Sequence, residues 1–562
     1  MRTGIISHLK KYGIFYGTGF LSALLFILIY GVSVLDPSYT DWLLAGGDLS
    51  QHFLGFALYA DAPWQLQIGM MNTAAYPFSE SVIFTDSIPL AAVIGKLFAP
   101  LSAGSFQYFG IWGMLCFLLQ GVLSCFLLKK YISQAFLLLP ASLLFVLSPV
   151  LLRRMFWHTS LASHFLILIP LILIVYQKEF FLSVRRACIA WGLLGALCVF
   201  VHLYFLAICG ILLFCFVLCY FLETSFVPLA KRIFYALWPL ASYACAALLS
   251  VWLLGGFSSG MDDGAPGLGY YSFNLNGFFN PQDWSCILRN LPLYADGQYE
   301  GFAYLGLGGI LLLLTALFLT LLMIYPALEK PRYFFQKCRA FIGAHKQWLV
   351  YAVTFLLILL AAGSNELSIG SRLLIKPALP DRVLGLWDIF RSSGRLIWPA
   401  VYMLLLFGAV VCARKLPKRA SVLLFAFCLF LQAFDLKDIL SEKHREFTSV
   451  NAYESCLTDA FWNDILNKRE LKHIVFYDKE NLTQEQLYAF AWYAVQNDLT
   501  INDFYFARAL SHPVNAVAGD FYAHPNDQTL YIMTYDSYDA HKLYDLSYYT
   551  FDGFVIGLKT PI

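Results

Sequence analysis

Two aspartates, Asp48 and Asp86, fall in one polar stretch, residues 35–103, between the first two long apolar segments. A carboxylate can take a proton from a hydroxyl or ligate a divalent cation. Asp48 follows Gly46 and Gly47 in AGGDLSQHFLGFALYADAPW (45–64). That is a helix N-cap position, and Leu49, Phe53, Phe56 and Ala57 continue at helical spacing. The pattern predicts an amphipathic helix lying on a membrane surface, with Asp48 and His52 on one face. Asp86 precedes an apolar run headed by Pro89 in YPFSESVIFTDSIPLAAVIGKLF (76–98), again an N-cap position. Capping alone accounts for both acids. The chemical alternatives are that Asp48 and Asp86 together hold a divalent cation, Mg or Mn, or that they divide the roles of base and metal ligand.

Cations suited to an anionic ligand recur near the outer ends of apolar segments. LLRRMFWHTSLASH (151–164) carries Arg153, Arg154, His158 and His164. GLWDIFRSSGRLIWPAVY (385–402) puts Arg391 and Arg395 four residues apart, with Gly394 permitting close approach. Paired guanidinium groups on one helical face make a phosphate clamp. Ordinary headgroup contacts, or an Asp388–Arg391 ion pair, are the competing structural explanations. The stretch 264–304 is rich in Tyr, Phe, Asn and Gly and ends near Tyr299 and Glu300, which can reach the same cavity. Flat aromatic faces with amides suit sugar rings, and equally an interfacial aromatic belt. His202, at the turn between two charge-free apolar segments, reads as a packing histidine.

The elements that must position these residues are membrane spans. Of 562 residues, 59% are hydrophobic and 13% charged, and the mean hydropathy is +0.64. A soluble chain is about a quarter charged. The formal net charge of +2 gives no field for a polyanion, so a nucleic-acid partner is excluded. Spans are expected near 13–34, 104–128, 134–151, 160–176, 187–203, 205–222, 233–255, 303–325, 348–362, 396–413 and 420–436, about eleven in all. The loops sharing a side with the N-terminus hold half of the 38 Lys and Arg but only Glu179, Glu223 and Glu329 as acids. The positive-inside rule makes that side cytoplasmic and places the acids, with any chemistry, outside. The run after Lys11 lacks a small-residue cleavage site and reads as a retained span. Cys286 and Cys456 lie in outer segments and could form a disulfide.

The fold class expected is therefore an all-α polytopic membrane domain, 1–436, followed by a small extracytoplasmic α/β domain, 437–562. In the latter, HIVFY (473–477), TLYIMTY (529–535) and YYTFDGFVIGL (548–558) read as strands. TQEQLYAFAWYAVQ (483–496) reads as a helix capped by Thr483. No catalytic motif lies there, so a lid, docking or acceptor-presenting role is expected.

GGD at 46–48 after span one, the long loop 35–103 and the domain 437–562 together resemble the GT-C class of membrane glycosyltransferases. The runs YPFSESVIFTDSIPL and FRSSGRLIWPAVY are similar to a bacterial family of uncharacterised GT-C-like proteins. The WWD-type motif of oligosaccharyltransferases and the Asp-Glu pair of protein mannosyltransferases are not found. The resemblance implies a bacterial inner-membrane enzyme with its active site on the outer face. It would move a sugar from a polyprenyl-phosphate donor to a glycan, lipid or protein acceptor, among membrane lipids. It implies Asp48 as general base, with Asp86 second, and inversion at the anomeric carbon. Arg391, Arg395, Arg153 and Arg154 would hold the phosphate, with His52, His158, His164, Tyr299 and Glu300 as further substrate contacts. A membrane transporter or lipid flippase, or a scaffold protein, is the rival reading.

Overall fold

The computed structural model describes residues 2–99, 106–258, 267–328, 346–378, 380, 391–450, 452–508, 524–536, 538 and 545–561. Among them, 9 helices are long and apolar enough to cross a membrane, from Tyr12–Tyr30 to Ser393–Lys415. The pair Lys418–Asp435 and Lys437–Thr448, bent by 56°, makes up to 10. The expected span at 160–176 contains only the 11-residue helix Phe165–Val175. At 1.5 Å per residue that is about 17 Å, short of a hydrocarbon core of about 30 Å. The residues before it, 155–164, are turns, and they bring Trp157 and His158 to the wall of a cavity. The charge-free stretch does split at His202, whose extended backbone (φ −169°, ψ 133°) separates Val184–Val201 from Tyr204–Glu223. Asp388 and the basic residues Lys330, Arg332, Lys337 and Arg339 lie outside the described residues.

The first outer loop folds inward. Its helix Gly47–Asp61 is buried from Leu49 to Tyr59 rather than resting on the membrane. Phe53 meets the span residue Phe109 at 6.5 Å on one side and Trp492 of the C-terminal domain at 5.7 Å on the other. An amphipathic pattern shows only that one stripe is apolar, and here protein covers the other side too. The helix that keeps an exposed apolar face is Pro89–Phe98, with Ile94, Leu97 and Phe98 outward and Ala91, Ala92 and Lys96 buried. Lys96 Nζ donates to the Tyr59 carbonyl at 2.8 Å, tying the two helices together.

The C-terminal domain is a five-stranded sheet in the order Thr500–Ile501, His473–Phe476, Thr529–Met533, Phe554–Leu558, Ser547–Phe551. The first three strands are parallel and the last two form an antiparallel hairpin. The single strand expected over 548–558 is instead broken in two, because Asp552 and Gly553, both at positive φ (47° and 82°), make the two-residue turn of that hairpin, as an Asp-Gly pair favours. Thr483 caps Gln484–Gln496 through a reciprocal capping box with Gln486. The domain docks by backbone. Ile501 N–H donates to the Thr73 carbonyl at 2.8 Å, and Tyr76 N–H donates to the Ile501 carbonyl at 2.9 Å, so the first loop lengthens the sheet edge. Tyr76 stacks on His473 with ring centres 3.8 Å apart. Cys286 and Cys456 are both free thiols; Cys286 Sγ instead donates to the Phe434 carbonyl at 3.2 Å, so the disulfide is not formed.

Candidate active site

A cavity of about 690 Å³ lies where the loop 35–103, the adjacent ends of the spans and the C-terminal domain meet. Gly46 and Gly47, at φ 105° and 65°, turn the chain into the helix that carries Asp48 to its wall. Both angles favour glycine. Asp48 is not the cap: Gly46 precedes the helix without a side-chain cap bond, and Ser50 Oγ takes the Gly46 N–H at 2.8 Å. The carboxylate is left for other partners. His158 Nε2 sits 3.3 Å from Asp48 Oδ2, and the Trp157 side chain donates to Asp48 as well. Burial, with the charge of Asp86 nearby, raises the Asp48 carboxyl above its usual range, against the pull of Arg395. Burial and the neighbouring Arg395 and Arg154 push His158 well down, so its imidazole is neutral and Nε2–H is the donor.

Nor is Asp86 the N-cap of the helix Pro89–Phe98, a position held by Ile88. It stands in the left-handed region at φ 55°, and the β-branched Ile88 follows at φ 54°. Such backbone persists only where the surroundings hold it, and it clusters at functional sites. Here it aims Asp86 at His202, with Oδ1 and Nε2 3.1 Å apart. Burial opposes the charge on Asp86, but the His202 hydrogen bond holds the carboxyl below its usual range. The two aspartates are thus pushed in opposite directions, the pattern that separates acid–base roles. His202, read from sequence as packing, lines the cavity as the partner of Asp86.

The opposite wall is a buried charge triad. Arg395 grips Glu300 with two bonds, Nε to Oε2 at 2.8 Å and Nη2 to Oε1 at 3.1 Å. Arg154 Nη2 donates to Glu300 Oε2 at 2.6 Å. Burial disfavours the Glu300 charge, yet the two guanidinium groups hold its carboxyl well below the usual range. Gly394 makes this contact possible, because a Cβ there would stand 2.7 Å from Gly301 Cα and 2.9 Å from the Tyr271 carbonyl oxygen. We expect Gly394→Ala to push the two segments apart and cost about 1–3 kcal/mol, read as a lower midpoint of thermal unfolding in detergent. Arg391, on the exposed side of the cavity, donates Nη2 to the Tyr271 hydroxyl at 3.0 Å. Trp157 and Tyr299 stack at 6.2 Å along the wall.

Residues 19–437 match the family described as "Domain of unknown function (DUF6311)". The chain belongs to this family. Residues 461–559 match its C-terminal domain, DUF6311_C. No curated protein matches the sequence. Among solved structures, the DUF6311 chain is similar to ArnT from Cupriavidus metallidurans bound to undecaprenyl phosphate, with 12% identity, 98% of each chain covered and a TM-score of 0.45. It is also similar to the apo oligosaccharyltransferase of Archaeoglobus fulgidus, with 11% identity, 94% of this chain and 70% of that chain covered, and a TM-score of 0.43.

Of the residues singled out in the DUF6311 sequence, the cavity gathers Asp48, Asp86, His158, Tyr299, Glu300, Arg391 and Arg395. Arg153 lines a neighbouring chamber. His52, Arg154 and His164 line neither. His52 is fully buried, both ring nitrogens are without partners among the described residues, and burial lowers it to about 4. His164 Nδ1 meets the Tyr402 hydroxyl at 2.7 Å behind the wall. The sequence reading missed Tyr204, Lys479, Tyr505 and Arg508, which also line the cavity. The last three come from the C-terminal domain, held over the cavity by Gln51 Nε2 to the Tyr505 carbonyl (2.9 Å) and Ala507 N–H to the Phe84 carbonyl (2.7 Å). They sit at or beyond the carboxyl ends of the parallel strands, the binding end of an open α/β sheet. No signal in the sequence joins 479–508 to 48–86. Asp48 and Asp86 each face an imidazole, and no group of three or more His, Cys, Asp or Glu side chains able to hold a metal forms among the described residues.

Proposed function

We infer that this protein is an integral-membrane glycosyltransferase of GT-C type, moving a sugar from a polyprenyl-phosphate donor to an acceptor hydroxyl on the outer face. The carrying observation is one cavity that places Asp48, with its raised carboxyl, opposite the arginines Arg391 and Arg395, beside Val199, Val201 and Leu203 at the outer ends of two spans. The apolar side suits a lipid tail, and the cationic side suits its phosphate. The acceptor oxygen bonds to the anomeric carbon as the bond from that carbon to the phosphate oxygen breaks. The electron pair leaves with polyprenyl phosphate, and the acceptor proton goes to Asp48. Arg391 and Arg395 stabilise the charge gathering on the departing phosphate. Asp86 stays ionised and fixes His202. Attack from the face opposite the phosphate inverts the anomeric centre.

Purified protein given a polyprenyl-phosphate sugar and a cell-envelope acceptor extract should release polyprenyl phosphate in step with glycosylated product of inverted anomeric configuration. Uptake of solute into liposomes without such release would favour a transporter instead. The pH dependence has a definite sign. A base must be ionised to act, and the Asp48 carboxyl is raised, so the rate should fall as the pH drops through that raised value, above the ordinary carboxylate range. Asp86, held low, should contribute no limb over that range.

A further inference from the structure

Next to the donor cavity lies a second chamber, of about 1100 Å³, between the start of the first-loop helix, the helix Lys437–Thr448 and the C-terminal domain. The two share only Asp48 and Trp157 in their walls. Their charges oppose. The donor cavity carries four Lys or Arg against three acids, whereas the second chamber carries five acids, Asp48 among them, against Arg153 and Lys443. Among the described residues, Arg153 is the one residue of the nine span helices in its wall, so the chamber lies off the spans. Trp284, Tyr453 and Tyr488 are among the aromatic residues in that wall. Arg153 is nine-tenths buried and gives Nη1 to Gln282 at 3.1 Å, while its Nε has no partner among the described residues.

We propose that this chamber is the acceptor site and that it takes a glycan without net negative charge. The proposal rests on the donor reading above. Pyranose rings lie against the aromatic faces, and the acidic rim, Asp41, Glu446, Glu454 and Glu485, repels phosphorylated or carboxylated acceptors while drawing in amine-bearing ones. The acceptor hydroxyl meets Asp48 from this side and the donor from the other, so the shared carboxylate is the point of transfer.

The test uses the full-length protein with polyprenyl-phosphate sugar and a cell-envelope glycan extract separated by ion exchange into anionic, neutral and cationic pools. Released polyprenyl phosphate is read for each pool. We expect stimulation by the neutral and cationic pools. Glu446→Lys and Glu485→Lys should weaken stimulation by the cationic pool by about tenfold each. Glu446→Gln and Glu485→Gln, which add no new charge, should fall in between. Stimulation by the anionic pool alone overturns the proposal, as does a change in donor KM, which would put the donor in this chamber. Donor hydrolysis that no pool stimulates also overturns it. Failure to consume the donor under any condition rejects the glycosyltransferase reading itself.

Discussion

Asp48→Asn is expected to lower sugar transfer by about 10²–10⁴-fold, the usual contribution of a general base. The fall should lie in kcat, with donor KM held, because the amide keeps the shape of the carboxylate and one acceptor oxygen but cannot take the acceptor proton. The fold should persist. The helix start is secured by Ser50 Oγ on Gly46 N–H and not by Asp48. Initial rates of polyprenyl phosphate release, with the elution profile in detergent as a control, check both halves. Full activity in this variant would remove Asp48 from the mechanism.

The second large effect belongs to Glu300. Its carboxylate is the common partner of Arg154 and Arg395, with side-chain exposures of 5%, 2% and 10% respectively. Breaking a buried pair leaves uncompensated charge, at a cost of about 3–5 kcal/mol, and Glu300→Gln would strand two guanidinium groups at once. We expect a strongly lowered thermal midpoint in detergent and loss of donor binding as Arg395 moves. The pH sign follows from the depressed carboxyl of Glu300. The stabilisation it provides is present above the unfolded-state carboxylate value and is lost only as the pH falls through the depressed one. The gap between wild type and Glu300→Gln should therefore stay wide through mild acid. A gap that closes near the ordinary carboxylate range would contradict the triad.

The spans and the sheet domain were legible because their signals are local. Long apolar runs and the Thr483 cap specify their elements without reference to distant chain, whereas the single strand expected over 548–558 is two strands folded back at Asp552–Gly553. The site was half legible. Asp48 stood out by its place after two glycines, and Arg391 and Arg395 by their spacing around Gly394. What the sequence could not carry was pairing across the fold. His202 looked like packing because its partner, Asp86, lies more than a hundred residues earlier and is aimed by strained backbone that no motif marks. The first-loop helix looked like a membrane-surface helix because periodicity reveals an apolar face and not what covers the other one. Arg154 looked like a phosphate ligand, yet it stands behind the wall as a partner of Glu300. Lys479 and Arg508 reach the cavity only because the first loop completes the sheet edge at Ile501.

The central claim is that one carboxylate faces both substrates across a lipid-accessible cavity. Cryo-electron microscopy of the protein with a non-cleavable polyprenyl-phosphonate sugar tests it most directly. The account predicts the phosphonate between Arg391 and Arg395, the polyprenyl tail leaving past Val199 and Val201, and the anomeric carbon facing Asp48. A head group bound elsewhere, with Asp48 open to solvent and no sugar beside it, would contradict it.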